Sequence, residues 1–485
     1  MKKQTVTKDN KISRQFKYIF KELGSRSVEG KFNGGEISSD GGAMLLSLVE
    51  KRFKIIEKFS NCFRDFRDSR YTDHSVYELL AQRIFGIILG YEDLNDFDEL
   101  NRDLLFATLV GKTDPTGMDR RRNKDKGKAL AGSSTLNRLE LTPGDATSKN
   151  RYKKITADFG RISRLFLQYF FDIVDEIPKE ITLDVDPTDD RIHGDQDGKF
   201  FHGYYGCYCY LPLYIFCGSH LLCADLLNAD SQLPSCLIEQ LNWLIPELRA
   251  KWPGIKIIIR GDSAFQNDDL MSWCEANEVD YVFALARNNR LESAVQEERK
   301  VVENRYKQAQ KKANSVDKIA SSTLYKNFTY RTRDSWSRSR RVIAKVEYNR
   351  HTTDTRFIVT SLCCKGKNEA ERLYRKGYCL RGDMENRIKE MQLSLFSDRT
   401  SSGKKRANQL RLWFSSVSYV ILHALRMHGL KFTRFSKAQC HTIREKFFKI
   451  GVNISVSIRR VFLQWCSSYP YKKEFQKIYQ NLAPT

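Results

Sequence analysis

Two aspartates follow predicted strands and stand directly before turns, an unusual place for an acid unless a cation binds there. Asp186 ends the alternating segment Ile181–Asp186, and Asp262 follows the short apolar run Ile255–Ile259. Either residue alone could be only a turn or cap former. Two carboxylates that converge at one strand edge repel each other, however, and a divalent cation is the usual compensation. The pair therefore indicates a candidate metal site.

A third acid, Glu385, occurs in a segment for which the pattern predicts a long helix, from about Asn368 to Leu395. Residues at intervals of three, four and four positions share one helix face if that helix runs through all of them: Tyr378, Arg381, Glu385 and Lys389. Ion pairing on a surface helix is the alternative interpretation. A site with three carboxylates suits Mg²⁺, which prefers hard oxygen ligands.

A cluster of thiols offers a different chemistry. Four cysteines and a histidine lie within 17 residues: Cys207, Cys209, Cys217, His220 and Cys223. Their spacings differ from those of common zinc modules, and aromatic and aliphatic residues alternate with them. We therefore favour strands whose buried faces carry thiols, with a zinc site as the alternative.

The elements that must position these residues divide the chain into consecutive segments. Strands with helices between them predict an α/β sheet whose working residues lie at the carboxyl ends of its strands. A strand-rich stretch interrupts this pattern before long helices resume. We assign residues 1–160 to a mainly helical N-terminal region, 178–286 to the first part of the α/β core, 287–362 to a β-rich insertion, 363–430 to the second part of the core, and 431–485 to a helical, basic C-terminal region.

The chain is strongly basic. Its 485 residues carry 82 Lys and Arg against 59 Asp and Glu, a formal net charge of +23. From Ser401 onward, 16 Lys and Arg face two acids, and a second basic run is Arg120–Lys128. A solvated surface explains the second run as well as DNA binding does, but an excess of this total size suits phosphate neutralisation with counterion release. Nucleic acid is therefore the expected partner.

Neither a membrane span nor an export signal is predicted. No stretch of about 18 uncharged apolar residues occurs, and the cationic start Met1–Asn10 has no apolar segment behind it. The length and the 41% hydrophobic content exclude a small module or a disordered tail. We expect a protein that stays where it is made and has no membrane partner.

The spacing Tyr378-x2-Arg381-x3-Glu385 resembles the signature of a large group of bacterial insertion-sequence transposases of the DDE type, in which Asp, Asp and Glu carry the catalysis. Further blocks are similar to one such family: Leu183–Asp190, His193-Gly194, Phe200–Gly206, Leu211–Tyr214, Arg260–Phe265, Met384–Glu390 and Asp398–Ser401, with flanking blocks Leu94–Asp98, Ser134–Glu140 and Ala407–Leu412. The resemblance covers roughly residues 70 to 460.

The resemblance implies an RNase H-like catalytic core that the β-rich insertion interrupts between the second Asp and the Glu. Residue by residue, it makes Asp186 the first acid, Asp262 the second and Glu385 the third. These carboxylates are expected to hold two Mg²⁺ ions, with Mn²⁺ as a substitute. Asp184 is the rival for the first position because it shares the strand face of Asp186. Asp186 is favoured because it lies nearer the carboxyl end.

The same resemblance implies contacts to DNA near the scissile bond. Tyr378, Arg381 and Lys389 are candidates to grip phosphates. One departure is Gln392, which stands where the wider group often has Lys, so Lys389 is the candidate for that phosphate contact. Trp336, in a polar turn of the insertion, is expected either to stack on a displaced base or to pack within the insertion.

The implied function is cut-and-paste transposition, with the second strand cut through a hairpin on the element's own end. The N-terminal region is expected to recognise terminal inverted repeats, and the basic C-terminal region to help pair two ends in a homodimer on double-stranded DNA. A non-catalytic DNA-binding relic or repressor, and a stand-alone nuclease, are the alternatives. The expected location is the bacterial cytoplasm, in association with the nucleoid.

Overall fold

The computed structural model describes residues 17–20, 26–312, 321–349, 352–363, 366 and 368–483. Its N-terminal part is mainly helical, with short strands between the helices. The helices are α1 Met44–Phe53, α2 Ile55–Ser60, α3 Val76–Leu89, α4 Asp96–Leu100, α5 Leu104–Val110, α6 Ser133–Glu140 and α7 Phe159–Ile173. The strands are β1 Tyr18–Phe20, β2 Val28–Gly30, β3 Ile37–Ser38, β4 Phe63–Asp65 and β5 Ile155–Ala157.

A large mixed sheet forms the centre of the molecule. Its strands are β6 Glu180–Pro187, β7 Asp190–Arg191, β8 Phe200–His202, β9 Cys207–Cys217, β10 His220–Asn228, β11 Lys256–Gly261, β12 Asp280–Leu285, β13 Ser321–Tyr330, β14 Arg340–Asn349 and β15 Thr353–Thr360. The spatial order is β10-β9-β6-β11-β12-β15-β14-β13, and β7 and β8 both pair with β9.

Strand directions in this sheet change at β6. On one side of β6, strand β9 runs antiparallel to β6, and β10 runs antiparallel to β9. On the other side, β11 and β12 run parallel to β6. Parallel neighbours need helical crossovers, and these are α8 Leu233–Lys251 before β11 and α9 Asp268–Ala276 before β12. Apolar side chains of β6 and β11, such as Leu183 and Ile259, are fully buried.

The register of β6 and β11 brings the two strand-end acids together. Asp184 pairs with Arg260 and Val185 with Gly261. One residue further along each strand stand Asp186 and Asp262. Because the carboxyl ends of parallel strands meet at one edge of a sheet, both acids emerge at the same edge.

The strands between residues 287 and 362 continue the central sheet. Strand β15 pairs with β12, with Val282 opposite Thr360 and Leu285 opposite Phe357, and β14 and β13 follow in antiparallel order. Two helices precede them, α10 Asn289–Ala294 and α11 Gln296–Lys312. The strand-rich stretch thus interrupts the α/β pattern along the chain but extends the same sheet in space.

The long helix predicted from about Asn368 to Leu395 is not uniform. It consists of α12 Glu369–Arg372, a π-helical turn Leu373–Tyr378, a 3₁₀ turn Cys379–Arg381 and α13 Gly382–Leu395. Within it, the carbonyl of Gly377 accepts a hydrogen bond from Nη1 of Arg260 at 2.7 Å. A single turn of π-helix inside a helical path is often found at functional sites, and here it lies directly before the predicted site residues.

The C-terminal part combines helices with a β-hairpin that the sequence patterns did not reveal. Helix α14 Lys405–Ala424 packs against α3 and β10 and is followed by α15 Cys440–Ile443, β16 Val452–Val456, β17 Val461–Trp465 and α16 Lys472–Leu482. Strand β16 pairs with β17 and with β3 near the N-terminus. Among the helices that the structure describes, none combines the length and apolar character that a membrane crossing requires.

Candidate active site

Asp186 and Asp262 occupy neighbouring positions at the carboxyl edge of the central sheet. Asp186 lies in β6, opposite Tyr214 of β9. Asp262 follows β11 and caps a short 3₁₀ turn, with its Oδ1 accepting a hydrogen bond from the N–H of Ala264 at 2.9 Å. Asp262 therefore does form the turn cap that strand-end acids often form, and this cap uses only one of its two carboxylate oxygens.

Arg381 connects the third acid to the first. Its Nη1 donates a hydrogen bond to Oδ1 of Asp186 at 2.8 Å. Its Nη2 donates to Oε1 of Glu385 at 2.6 Å. Glu385 lies in the first turn of α13, directly after the 3₁₀ turn that ends at Arg381. One guanidinium thus spans the carboxylates of a strand end and a helix start that are far apart along the chain.

The three acids influence one another electrostatically. Burial raises the pKa of Asp186 to about 7; Arg381 opposes this shift, and the charges of Asp262 and Glu385 add to it. Burial also raises the pKa of Asp262, to which the charge of Glu385 contributes. Like charges that raise each other's pKa lie close together. The edge therefore carries more negative charge than one guanidinium offsets.

Asp184, the rival for the first position, is engaged elsewhere. Its carboxylate forms a buried, two-pronged ion pair with Arg260, with Nε to Oδ1 at 2.5 Å and Nη2 to Oδ2 at 2.8 Å. Both carboxylate oxygens are used in this pair. The same guanidinium donates to the carbonyl of Gly377, so the pair ties β6 and β11 to the π-helical turn that leads to Arg381.

Tyr378 precedes Arg381 at the start of the site. Tyr378 is half-buried, and the Arg381 guanidinium is near enough to influence the pKa of its phenol. Burial raises the pKa of Tyr378; Arg381 opposes the shift, and the charge of Asp262 adds to it. The phenol therefore lies close to two members of the site, although an irregular turn, and not a regular helix, carries it.

Lys389 and Gln392 point to different surroundings. Lys389 is exposed on α13, one turn after Glu385. Gln392 donates through Nε2 to Oγ1 of Thr188 at 3.3 Å. Because Thr188 follows β6, this contact holds α13 against the strand that carries Asp186. Gln392 thus has a structural contact, and Lys389 is the side chain available to solvent.

Trp336 packs inside the strand-rich segment. It is 3% exposed, its ring meets Tyr330 edge to face at 5.8 Å, and the guanidinium of Arg340 lies 5.6 Å from its centroid. Arg340 in turn pairs with Asp268 and Glu275. Of the two interpretations left open by the sequence, this environment favours packing, because a ring that is 3% exposed offers no free face to a base.

The carboxylates suit a divalent cation in chemistry but currently enclose an arginine. Three hard oxygen donors are what Mg²⁺ or Mn²⁺ prefers, and burial raises the pKa of Asp186 and of Asp262, with the charge of Glu385 adding to both shifts. Nevertheless, among the residues that the structure describes, no three His, Cys, Asp or Glu side chains converge closely enough to hold a metal ion. Arg381 stands between Asp186 and Glu385, so metal binding there requires it to withdraw.

The thiol cluster is part of the sheet. Cys207, Cys209 and Cys217 lie on β9, and His220 and Cys223 lie on β10. The cysteines are free and buried or half-buried, and within the described part of the chain no side-chain group suited to a metal includes them. The cluster therefore consists of thiols on two paired strands, and its side chains do not meet in the set of ligands that the zinc alternative requires.

Tyr205 is a neighbour of the acids to which the sequence patterns assigned no role. Burial raises the pKa of its phenol, and the charges of Asp189, Asp186 and Asp262 add to the shift. The available signal was the aromatic block Phe200–Gly206, which resembled a family motif but suggested no contact. Only the fold of the β8–β9 hairpin brings this block to the acids.

Comparisons with known proteins identify a family for the chain. A family model described as Transposase DDE domain group 1 matches residues 20–485. Among solved structures, the chain is similar to piggyBac transposase in a cryo-EM structure of its synaptic complex with hairpin DNA, at 12% sequence identity and a TM-score of 0.38, over 91% of this chain and 85% of that chain. A search of curated proteins finds no match. Because the family match spans almost the whole chain, the protein belongs to the DDE-domain transposases of group 1.

Proposed function

We propose that this transposase cuts an insertion element at its terminal inverted repeats and joins it to target DNA, with Asp186, Asp262 and Glu385 as the catalytic acids. The observation that carries the proposal is the pair of hydrogen bonds by which Arg381 joins Asp186 to Glu385, at the sheet edge where Asp262 follows β11. The three acids come from two strands and one helix that are widely separated in sequence, and each is the residue that the DDE resemblance assigns.

The strand order supports an RNase H-like core. Two antiparallel strands, β10 and β9, precede β6 in the spatial order, and the parallel strands β11 and β12 follow it. In this arrangement the first acid lies on the central strand and the second at the end of the adjacent parallel strand. Substrate phosphates are expected at that edge, because open α/β sheets bind ligands outside the carboxyl ends of their strands.

The acids would hold two Mg²⁺ ions, for which Mn²⁺ can substitute. Bound there, the ions would activate the attacking oxygen and neutralise charge on the leaving oxygen of an in-line displacement at phosphorus. The contribution of the chain is positional: β6 and β11 present Asp186 and Asp262 from one side, and α13 presents Glu385 from the other. Arg381 and Tyr378, once separated from the acids, are placed to grip phosphate oxygens.

The reaction proceeds by exchange of phosphodiester bonds. In the first step, water attacks phosphorus at the element end, one P–O bond forms, one breaks, and a 3′-hydroxyl is released. That hydroxyl then attacks the opposite strand, which produces a hairpin and frees the element. After the hairpin is opened by water, the 3′-hydroxyl attacks a target phosphodiester. Each transfer conserves the number of P–O bonds, so no external energy source is required.

Incubation of the purified protein with labelled terminal repeats and Mg²⁺ tests the proposal. The wild type should yield nicked ends, hairpins and joined products, whereas Glu385→Gln should retain DNA binding and lose all three. Glu239→Gln, on the exposed face of α8, is the matched control and should behave like wild type. Equal cleavage by Glu385→Gln would overturn the site assignment. Binding without cleavage by the wild type would indicate a DNA-binding relic, and cleavage without joining would indicate a nuclease.

Two further parts of the proposal concern DNA recognition. The N-terminal helices would bind the terminal repeats, and the basic residues after Ser401 would help to pair two ends within a homodimer. The charge of that segment, 16 Lys and Arg against two acids, supports a role on DNA. The mass of the complex with two labelled ends, measured by light scattering, tests the dimer: a complex with one protein copy would contradict it.

A further inference from the structure

The hairpin that joins β8 to β9 carries a cluster of exposed aromatic rings, which we call the aromatic hairpin (residues 200–208). At its tip Tyr204 is 87% exposed, and Phe201 is 59% exposed on the adjoining strand. Phe200 and Tyr208 are also exposed. Large rings that stand together in water mark a binding surface more often than isolated exposed residues do.

The aromatic hairpin lies at the active-site edge of the sheet. Strand β9 runs antiparallel to β6 and pairs Tyr214 with Asp186 and Leu213 with Pro187. The part of β9 before Leu213 therefore extends beyond the carboxyl end of β6, and β8 pairs with that part. Because Asp186 and Asp262 emerge at the same end, the tip of the hairpin and the acids lie on one side of the molecule.

Tyr205 anchors the tip beside the acids. It packs against the buried cluster of Cys209 and Leu211, and its N–H donates to Nδ1 of His202 at 3.5 Å. The N–H of Gly206, which has a positive φ of 65°, donates to the carbonyl of His202 at 2.8 Å and closes the turn. The Tyr204 ring rests edge to face on Tyr205 at 5.1 Å. The tip is therefore a defined turn with one exposed face.

We propose that Tyr204, supported by Tyr205, is a stacking platform for an unpaired nucleobase of the DNA strand that is cut at the acids. The inference rests on the proposed function, since it takes the DNA end as the ligand. Aromatic rings stack on any base because every base has a π-face. A tyrosine carries no cation for the phosphate and so leaves that contact to Arg381. The enclosed Trp336 cannot supply this contact, whereas the exposed Tyr204 can.

Binding of the full chain to two DNA probes, followed by fluorescence anisotropy without divalent cation, tests the platform. One probe is a blunt duplex and the other is the same duplex with a four-thymine single-stranded tail. Tyr204→Ala is expected to weaken binding of the tailed duplex about tenfold, equivalent to about 1.4 kcal/mol, which lies within the range for stacking on an aromatic side chain. Binding of the blunt duplex should not change.

Conservative variants separate stacking from general apolar contact. Tyr204→Trp should retain the preference for the tail, whereas Tyr204→Leu should lose it despite its apolar bulk. Ile177→Ala, which truncates a 74% exposed apolar side chain before the start of β6, at the opposite end of that strand from Asp186, is the control and should behave like wild type. Wild-type tail preference in Tyr204→Ala or Tyr204→Leu would overturn the proposal. A change in self-association without a change in DNA binding would assign the aromatic hairpin to a second copy of the chain and would also overturn it.

The outcome is independent of the cleavage assay. If the wild type cuts element ends but Tyr204→Ala keeps the tail preference, the platform is wrong and the proposed function stands. If the wild type cuts no DNA but its tail preference depends on Tyr204, the proposed function is wrong and the single-strand contact remains.

Discussion

Arg381 donates a hydrogen bond to Asp186 at 2.8 Å although the two residues lie 195 positions apart in the chain. The same guanidinium donates to Glu385 at 2.6 Å. It thus supplies the positive charge that compensates the acids, which is the role that divalent cations would have in the proposed site. In the proposed site, arginine and metal would therefore compete for the same carboxylates, and metal binding would free Arg381 to contact phosphate.

Removal of Arg381 should favour metal binding and impair DNA cleavage. Arg381→Ala is expected to bind Mn²⁺ about tenfold more tightly than wild type, a gain of about 1.4 kcal/mol, because the competing cation is gone. Without metal, its Tm should be lower, since the largely buried carboxylate of Asp186 loses its partner. Calorimetric titration and thermal unfolding measure both effects, with Arg381→Lys as the charge-matched control. Unchanged Mn²⁺ affinity would contradict the competition.

Asp186→Asn should stabilise the metal-free protein in a pH-dependent manner. Burial raises the folded pKa of Asp186 to about 7, whereas an unfolded Asp titrates near pH 3.9. Between these values the folded state binds more protons, so the wild type loses stability as the pH rises from about 4 to about 7 and no more above that. The Tm difference between variant and wild type should grow across this window. A Tm difference that is equal at pH 4 and pH 8 would refute the raised pKa of Asp186.

The buried pair of Asp184 and Arg260 should behave as a structural unit. Arg260→Met is expected to cost about 3–5 kcal/mol of unfolding free energy, because it leaves the Asp184 carboxylate buried without its partner. The double variant Asp184→Asn/Arg260→Met should recover a substantial part of that loss. Urea unfolding of the single and double variants measures the coupling. Simple additivity of the two substitutions would show that the pair is not coupled.

Trp336 should matter for stability and not for a particular DNA step. Trp336→Ala is expected to lower the unfolding free energy by about 3–5 kcal/mol, as truncation of a buried aromatic does, while Trp336→Phe should cost less. In protein that remains folded, nicking and hairpin formation should decline in parallel. A selective loss of hairpins with normal nicking would instead assign Trp336 to base stacking.

Lys389 should contribute one phosphate contact. Lys389→Ala is expected to weaken DNA binding at low salt and to reduce the slope of log affinity against log salt by about 0.9, the value for one released counterion. Lys300→Ala, an exposed lysine of α11 that pairs with Glu297, is the control and should leave the slope unchanged. Affinities measured between 50 and 200 mM salt, a range over which phosphate contacts are readily resolved, provide the test.

The sequence alone was sufficient to identify the family, because the most informative features of the sequence are local. Residue types at fixed spacing, as in Tyr378-x2-Arg381-x3-Glu385, survive without any knowledge of the fold, and the family match over residues 20–485 confirms that a DDE transposase was correctly identified. Strand periodicity was equally local: the alternation in Ile181–Asp186 reflects one buried and one open face, and β6 is found there.

Tertiary structure decided what each polar side chain contacts, because partners distant in sequence leave no local pattern. Asp184 pairs with Arg260 and therefore has a different partner from Asp186; this pairing depends on the register of β6 and β11. The exposure of Tyr204 and the burial of Trp336 are likewise set by packing, since the residue type and its neighbours in the sequence did not distinguish them. Composition and spacing named the candidate reacting groups, and only strand pairing and burial determined which of them meet at one edge of the sheet.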